Sequence, residues 1–279
     1  MNSFKRNSVN GLLLRAAAVI VISALVGCTD TEEGGQSTAQ KNGQPVSKPK
    51  NVIYVLTDDQ RYDELGFMNP VIDTPNMDRM AAEGVHFENA FVTTALCSPS
   101  RASILTGQYM HNHGVVDNNK PPRDGTIFFP EYLQKAGYNT AFVGKWHMGE
   151  LAPAGRKLDD PQPGFDHWVS FAGQGHYYPT KPNGKQSMLN INGDRVEQKG
   201  YITDELTDYA LDWLDSRDNE EPFFMYLSHK AVHANFAPAQ RHIEQYADRT
   251  IPVPESQADT LENYEGKPMW VKNQRNSWH

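Results

Sequence analysis

The sequence has little cysteine, no long apolar run and no excess of positive charge. Its 279 residues include two cysteines, Cys28 and Cys97, so at most one disulfide can form. With 38% hydrophobic and 22% charged residues, the composition excludes disordered, collagenous and multi-span membrane proteins and suits one α/β domain or two small ones. A net charge of −8 argues against nucleic acid as a partner, and a polyanionic substrate needs locally clustered basic residues.

The N-terminal 27 residues have the pattern of an export signal. Positive residues precede a short apolar run over 16–26, which is too short to span a bilayer comfortably. The run ends in Leu-Val-Gly before Cys28, and this ending resembles a bacterial lipobox, in which the cysteine sulfur carries a diacylglycerol. We predict a signal peptide over 1–27, followed over 28–50 by a lipidated Cys28 and a flexible tether, which anchors the exported protein to a bacterial membrane in the periplasm or at the cell surface. A plain signal peptide or an N-terminal anchor helix is the alternative.

Apolar runs and helix signals alternate from residue 51 onward. Residues 51–57 read as a strand buried on both faces, and further strands are predicted over 85–92, 139–144 and 223–227. Helices are predicted over 75–83, 99–106, 129–136 and 202–216 from their capping residues, glycine stops and apolar faces. Residues 151–200 are rich in Gly, Pro, Asn and Asp and read as long loops. The alternation predicts an α/β domain over 51–279 with a mainly parallel sheet between helices.

Ionisable residues follow several of the predicted strands directly. They are Asp58, Asp59, Lys145, His147, His229 and His233. The carboxyl ends of parallel strands share one edge of the sheet, where open α/β folds build their sites. Two adjacent buried carboxylates repel each other unless a cation neutralises them, and a hard divalent cation such as calcium suits carboxylate oxygens. A solvated turn at the end of the strand is the alternative for an isolated Asp-Asp pair.

Cys97 stands at the predicted start of a helix, just before Ser98 and Pro99. The unsatisfied N–H groups at a helix start favour an anion, and Arg101 lies about one turn further along. On this chemistry alone, Cys97 is a thiolate nucleophile with a lowered pKa. A core cysteine with chance neighbours is the alternative.

The run Cys-Ser-Pro-Ser-Arg-Ala-Ser-Ile-Leu-Thr-Gly over 97–107 resembles the signature of the type I sulfatases, in the alkaline phosphatase superfamily. The Asp-Asp pair at 58–59 and the Gly-Lys-Trp-His run at 144–147 are similar to further motifs of that family. The resemblance covers residues 50–279 and implies an alkaline phosphatase-like fold and a sulfuric ester hydrolase. It also implies that a separate maturation enzyme oxidises Cys97 to Cα-formylglycine, whose hydrated aldehyde attacks the sulfur of a sulfate ester.

The resemblance further assigns a role to each matching residue on the metal side of the site. Asp58, Asp59 and the modified Cys97 bind one Ca²⁺, which acidifies the hydrated aldehyde and draws charge from a sulfate oxygen. Arg101 holds the diol and the metal shell.

On the sulfate side, the resemblance implies that Lys145 binds the sulfate as a compact cation. His147 takes the proton from the second hydroxyl as a general base, and His233 acts near the leaving oxygen as an acid or as a sulfate ligand. The alternatives are a surface lysine at 145, a capping histidine at 147, and His229 in place of His233. Further candidates for lining the substrate site are His111, His113, His176, Tyr177 and Tyr178.

Two later elements of the family pattern have no matching copy before His279: an Asp followed by Asn or Gln, and a further lysine. Calcium takes about six to eight oxygens, and two carboxylates, a formylglycine oxygen and a sulfate oxygen supply too few without bidentate binding or water. We therefore expect a truncated product or a fragment that lacks the C-terminal part of the domain and its small subdomain, with low calcium affinity and weak activity or none.

Export and a lipid anchor favour a substrate outside the cell, namely a sulfated carbohydrate such as a glycosaminoglycan or an algal polysaccharide. The context of Cys97 and the run over 111–116 are most similar to glucosamine-6-sulfatases. Two alternatives stay open. One is a phosphonate or phosphodiester hydrolase with the same formylglycine, and the other is a non-catalytic lipoprotein that binds sulfated glycans.

Overall fold

The computed structural model describes residues 49–149, 157–217, 220–253, 257–258 and 260–274. The predicted signal peptide, Cys28 and nearly all of the tether lie outside these residues. The strands are β1 (Val52–Leu56), β2 (Asn139–Lys145), β3 (His167–Phe171), β4 (Met188–Ile191), β5 (Asp194–Glu197) and β6 (Phe223–Ser228). The α-helices are α1 (Pro75–Glu83), α2 (Cys97–Thr106), α3 (Met110–His113), α4 (Phe129–Lys135), α5 (Ile202–Ser216), α6 (Leu261–Tyr264) and α7 (Met269–Gln274). No helix of this described part is both long and apolar enough to cross a bilayer.

One sheet with the strand order β1-β6-β2-β3-β4-β5 organises the described residues. The strands β1, β6, β2 and β3 are parallel, and in the register Met225 of β6 lies between Ile53 of β1 and Ala141 of β2. The strands β4 and β5 add an antiparallel hairpin to the side of β3. The predicted fold class, a mainly parallel sheet flanked by helices, is confirmed.

Both faces of the sheet carry a hydrophobic core. Alternate residues of a strand point to opposite faces, so Val143 and Met225 belong to one core and Phe142 and Phe224 to the other. The first core packs against α5 through Ile202, Leu206, Ala210 and Trp213. The second packs against α2 and neighbouring segments through Ala102, Leu105, Trp146 and Trp168. Burial on both faces is the reason that β2 and β6 appear in the sequence as nearly unbroken apolar runs.

The strand β1 forms as predicted, but its predicted burial on both faces is wrong. Its residues Val52, Ile53, Tyr54 and Val55 are between 37% and 53% exposed. The physical reason is position, because β1 is an edge strand whose one strand neighbour among the described residues is β6. The apolar run identifies the strand, and it does not say what lies beside it.

Two other expectations about the chain are wrong. Residues 85–92 form turns and irregular backbone in place of a strand, and their apolar side chains are between 64% and 85% exposed because no strand of the described sheet pairs with them. The segment 151–200, expected to be loops, contributes β3, β4 and β5. Buried Trp168 and Val169 hold β3 in the cores, and buried Leu189 does so for β4. Asn192-Gly193, both with positive φ, form the tight turn to β5, which is mostly exposed.

Candidate active site

The site lies where the parallel strands β1, β2 and β6 end. Asp58 and Asp59 follow β1, Lys145 is the last residue of β2, and His233 lies five residues beyond the end of β6. Cys97 is the first residue of α2, with Leu96 in the capping position. The topology of the sheet therefore gathers residues that are far apart in the sequence, as expected for the carboxyl edge of an α/β sheet.

Four of these residues form a group that could hold a metal ion. Asp58, Asp59, Cys97 and His233 each offer a ligand atom, and these atoms all lie within 4.8 Å of one another. Cys97 Sγ is 3.7 Å from Asp58 Oδ1, and His233 Nε2 is 3.4 Å from Asp59 Oδ2. A cleft of about 260 Å³ opens beside this group.

The two aspartates are adjacent in sequence but differ in exposure. Asp58 is 5% exposed, whereas the side chain of Asp59 is 53% exposed. Asp59 takes the left-handed backbone conformation, with φ of 58°, which short polar side chains tolerate better than bulky ones. The chain direction thus changes between them, so that one carboxylate is enclosed and the other stays accessible.

Asp58 is the negative centre of a buried charge cluster. Arg101 Nη2 donates to Asp58 Oδ2 at 3.1 Å, and Lys145 Nζ forms an ion pair with the same oxygen. Burial alone would raise the pKa of Asp58, but Arg101 and Lys145 outweigh it and hold the pKa below its ordinary value. Asp58 is therefore ionised at neutral pH.

Arg101 joins α2 to the sheet rather than to Cys97. Its Nη1 donates to the carbonyl oxygen of Lys145 and to Ser228 Oγ at the end of β6. Ser228 Oγ also donates to the carbonyl oxygen of Lys145, at 2.8 Å. We did not predict Ser228, since a serine at the end of an apolar strand is a common residue with no chemical signal of its own.

Lys145 is fully buried and faces the reactive position. Its Nζ lies 3.7 Å from Cys97 Sγ and donates to Gln174 Oε1 at 2.5 Å. Gln174 follows β3 at the same edge of the sheet and is a second residue that we did not predict. Recognising β3 in the sequence would have pointed to it, because it lies in the equivalent place beyond the strand.

The predicted thiolate at Cys97 is wrong. Burial raises the pKa of the Cys97 thiol, and although Lys145 opposes this, Asp58 and Asp59 raise the pKa further. Burial, with two carboxylates nearby, outweighs the favourable position at the start of α2. The unmodified side chain is therefore a neutral thiol.

His147 is buried next to the first turn of α2. Its carbonyl oxygen accepts a hydrogen bond from Ser98 Oγ at 2.7 Å. We expected Ser98 to cap a helix starting at Pro99, but α2 begins two residues earlier and the serine hydroxyl instead ties the helix to the segment after β2. His147 lies outside the four-residue group around Asp58.

His233 is held in a defined ring orientation. Its Nδ1 lies 2.8 Å from the carbonyl oxygen of Ala234, and a carbonyl only accepts, so Nδ1 carries the proton and Nε2 faces Asp59. The hydroxyl of Tyr177 donates to the carbonyl oxygen of His233 at 2.5 Å. His229, the competing candidate, lies outside the group and burial lowers its pKa.

The remaining predicted substrate-site residues do not form one surface. His113 is buried, and its ring nitrogens contact Ser103 Oγ and the backbone N–H of Val115. His111 is exposed and stacks on Tyr109. Tyr177 supports His233, and Tyr178 donates to the carbonyl oxygen of Pro238. His176 is half-buried, and its pKa is lowered by burial and by Lys181 and Lys230.

The sequence of this chain matches one protein family over most of its length. The sequence profile of the sulfatase family matches residues 50–271. The chain belongs to the sulfatase family. An N-acetylglucosamine-6-O-sulfatase of Bacteroides thetaiotaomicron is 38% identical to this chain over 232 residues, which cover 82% of the chain and 38% of the relative. The N-acetylglucosamine-6-sulfatase of Homo sapiens is 35% identical over 221 residues, which cover 72% of the chain and 38% of the relative.

Solved structures agree with the fold of this chain. The structure of BT4656 in complex with its substrate D-glucosamine-2-N,6-O-disulfate matches with a TM-score of 0.66 and 38% identity, over 75% of this chain and 40% of the other. The phosphonate monoester hydrolase of Agrobacterium radiobacter, at 23% identity and a TM-score of 0.52 over 70% of this chain and 43% of its own, shares the fold alone. The chain spans between 36% and 45% of the length of three curated relatives that it matches.

Proposed function

We propose that the protein hydrolyses a sulfate ester of a sulfated carbohydrate, with Cys97 converted to Cα-formylglycine as the nucleophile. The observation that carries this proposal is the cluster at the start of α2, where Cys97 meets Asp58, Asp59, Lys145 and His233. Curated relatives are N-acetylglucosamine-6-sulfatases, and BT4656 has D-glucosamine-2-N,6-O-disulfate as its substrate. These names support a glucosamine 6-sulfate, as found in glycosaminoglycans, as the substrate class.

The raised pKa of the Cys97 thiol supports modification over direct attack by sulfur. A neutral thiol is a weak nucleophile, so the unmodified residue is poorly suited to the reaction. Hydrated formylglycine would supply one hydroxyl that bonds to sulfur as the S–O bond to the alcohol breaks, and a second whose deprotonation releases sulfate and restores the aldehyde. Both hydroxyls would stand where Asp58 and Lys145 already face position 97.

The oxygen donors of the site fit calcium in kind. Asp58 and Asp59 supply carboxylates, and the modified residue 97 would supply a further oxygen within the same group. Arg101 and Lys145 already balance Asp58, so the accessible Asp59 is the carboxylate best placed to take a metal from solvent. When bound, the ion would acidify a hydroxyl of residue 97 and withdraw charge from a sulfate oxygen.

The basic side chains have separate tasks in the proposed reaction. Lys145, held by Asp58 and Gln174, presents a desolvated ammonium to a sulfate oxygen. His233 Nε2 gives a proton to the leaving oxygen from the doubly protonated ring, because Nδ1–H stays bonded to the carbonyl oxygen of Ala234 and Nε2 is the nitrogen that faces the site. His147 serves as the base that takes the proton from the second hydroxyl.

The test uses the complete protein made in cells that have a formylglycine-generating enzyme. Mass spectrometry of the Cys97 peptide should show the mass of an aldehyde, and the protein should release sulfate from glucosamine 6-sulfate. The Cys97→Ala variant should release none, and a variant with the full rate would rule out the assignment. Faster hydrolysis of an aryl phosphonate than of an aryl sulfate would favour the phosphonate hydrolase, and an unmodified thiol would favour a binding protein.

Two partners belong to the same proposal. The leader sequence supports export and anchoring to the membrane through a lipid on Cys28, and the sulfatase signature supports a maturation enzyme that acts on Cys97. The mass spectra that test residue 97 also test the lipid. A diacylglycerol on the Cys28 peptide is the expected result, and an unlipidated Cys28 in membrane-associated protein contradicts it.

A further inference from the structure

Lys230 is a buried lysine that we did not connect with the site from the sequence. It follows His229 beyond the end of β6 and is 3% exposed. Its Nζ donates to the carbonyl oxygen of Ala234 at 3.0 Å and lies 4.8 Å from the centre of the Tyr177 ring. Within the described residues, that carbonyl is its one hydrogen-bond acceptor, so the side chain closes a short loop over residues 230–234.

This loop carries His233 and is bonded to the strand end beside it. The backbone N–H of Asp58 donates to the carbonyl oxygen of Ala231, and the N–H of Val232 donates to the carbonyl oxygen of Asp58, both at 2.8 Å. The N–H of His233 donates to the carbonyl oxygen of Lys230 at 3.0 Å. The loop is thus fastened to the segment that supplies the two aspartates.

Lys230 and His233 share one acceptor. The carbonyl oxygen of Ala234 receives the Nζ of Lys230 and the Nδ1–H of His233. The hydrogen bond at one ring nitrogen of a histidine fixes which nitrogen is left as an acceptor and where it points. Whatever holds the Ala234 carbonyl in place therefore also holds His233 Nε2 opposite Asp59.

We propose that Lys230 is a positioning residue for His233. Its ammonium fixes the Ala234 carbonyl, the carbonyl fixes the ring of His233, and the ring presents Nε2 to the reactive side of the site. Tyr177 completes the arrangement, because its ring contacts the ammonium and its hydroxyl bonds the His233 carbonyl. This inference rests on the proposed function for its kinetic consequence, but its structural part can be measured without any activity.

The charged groups of the site act on Lys230 in both directions, and its pKa is lowered overall. Burial is the main cause that lowers its pKa, and Lys145 lowers it further. Asp58, Asp59 and Cys97 act in the opposite direction and favour the charged form. A buried ammonium needs such partners, since an apolar side chain of the same length would fill the space at a smaller desolvation cost.

The structural test uses NMR of the histidine ring nitrogens in the complete protein. The wild type should show His233 as the Nδ1–H tautomer, and Lys230→Met should show a mixture of tautomers. The matched control is Lys135→Met, because Lys135 also lies over a tyrosine ring, that of Tyr132, but on the exposed surface of α4. An unchanged His233 tautomer in Lys230→Met overturns the proposal.

The kinetic test is a double-mutant cycle of Lys230→Met and His233→Ala on the matured protein, with glucosamine 6-sulfate and 4-nitrophenyl sulfate as substrates. Lys230→Met should lower kcat/KM about 10- to 100-fold, the range typical for supporting partners of a site histidine. It should also reproduce the ratio between the two substrates seen in His233→Ala and add no further loss in the double variant. Losses that add fully overturn the proposal.

Two outcomes need a further comparison: a Lys230→Met variant that does not fold, and a wild-type protein without activity. If Lys230→Met does not fold, Lys230→Gln takes its place in the same cycle, since it keeps a donor for the Ala234 carbonyl without the charge, and it should retain the tautomer with a smaller kinetic loss. A wild-type protein that releases no sulfate would defeat the proposed function, while the NMR comparison would still decide the role of Lys230.

Discussion

At the scale of single residues, the neighbouring aspartates have divided tasks. Asp58 is enclosed with Arg101 and Lys145 and neutralises buried positive charge. Asp59, turned outward by its left-handed backbone, faces His233 and solvent. One carboxylate therefore serves mainly the stability of the site, while the other stays available to a ligand.

Replacement of Asp58 by Asn should lower the free energy of unfolding by about 3 kcal/mol or more, because it leaves two buried cations without a counter-charge. The measurement is urea unfolding of the metal-free protein. Asp59→Asn is the matched control and should cost less than about 0.5 kcal/mol, as an exposed position whose backbone conformation Asn accepts. Equal losses from the two variants would contradict the division of tasks.

At the scale of elements, the close approach of β2 and β6 shapes the floor of the site. Gly144, with φ of 124°, lies so near Ser228 that a Cβ would overlap the Ser228 carbonyl group. This approach brings the carbonyl oxygen of Lys145 within reach of both Ser228 Oγ and Arg101. Gly144 is therefore needed both for the close packing of β2 against β6 and for the charge cluster around Asp58.

Gly144→Ala should destabilise the protein by about 3 kcal/mol or more, since the new methyl group adds an overpacking cost to a strained backbone. Gly137→Ala is the control, because Gly137 also has positive φ, of 85°, but open space around it. The control should lose only the conformational cost, about 1 to 2 kcal/mol. Chemical denaturation of both variants measures the difference, and identical midpoints would show that no overlap occurs.

The elements also show what the sequence could predict. The hydrophobic patterns of β2, β6 and α5 match their burial, so the sequence predicts their approximate bounds and buried faces. The exposure of β1 was not, because it depends on which segment lies beside that strand. The same holds for residues 85–92, where an apolar run has no strand partner in the described sheet.

The sequence predicts those site residues that have distinctive chemistry and follow strands. Asp58, Asp59 and His233, which follow strands, come together with Cys97 at the start of α2. Gln174, Ser228 and Lys230 were missed, because common residue types acquire their tasks only from tertiary contacts such as a shared carbonyl oxygen. The local spacing of residues does not predict tertiary contacts of this kind.

At the scale of the whole molecule, half-buried histidines couple stability to pH. Burial lowers the pKa of His167 and of His229, each from an ordinary value of 6.5. In the unfolded chain both regain ordinary values, so the unfolded state binds more protons as the pH falls through about 6.5. The stability that these neutral rings contribute is therefore fully present above that pH and is lost below it.

Urea midpoints measured at pH 7.5, 6.5 and 5.5 should fall steadily with pH. Replacement of His167 or His229 by Gln should flatten this dependence, because each removes one proton uptake on unfolding. Asp58 does not interfere in this range, since its pKa lies below its ordinary value of 3.8. A dependence that is equally steep in both variants would show that other groups carry it.

The parallel pairing of β1, β6 and β2 determines when the contacts of the site can form during folding. Lys145 and Asp58 are 87 positions apart, and Arg101 and Ser228 are 127 apart. Parallel strands pair only after the intervening chain has folded back, which makes such contacts slow to form. The helix α2 can form early from local interactions, whereas Asp58 is held in place by β1, whose strand neighbour in the described sheet is β6. Affinity for the proposed divalent cation should therefore report completed folding, and a chain shortened before β6 should lack that affinity.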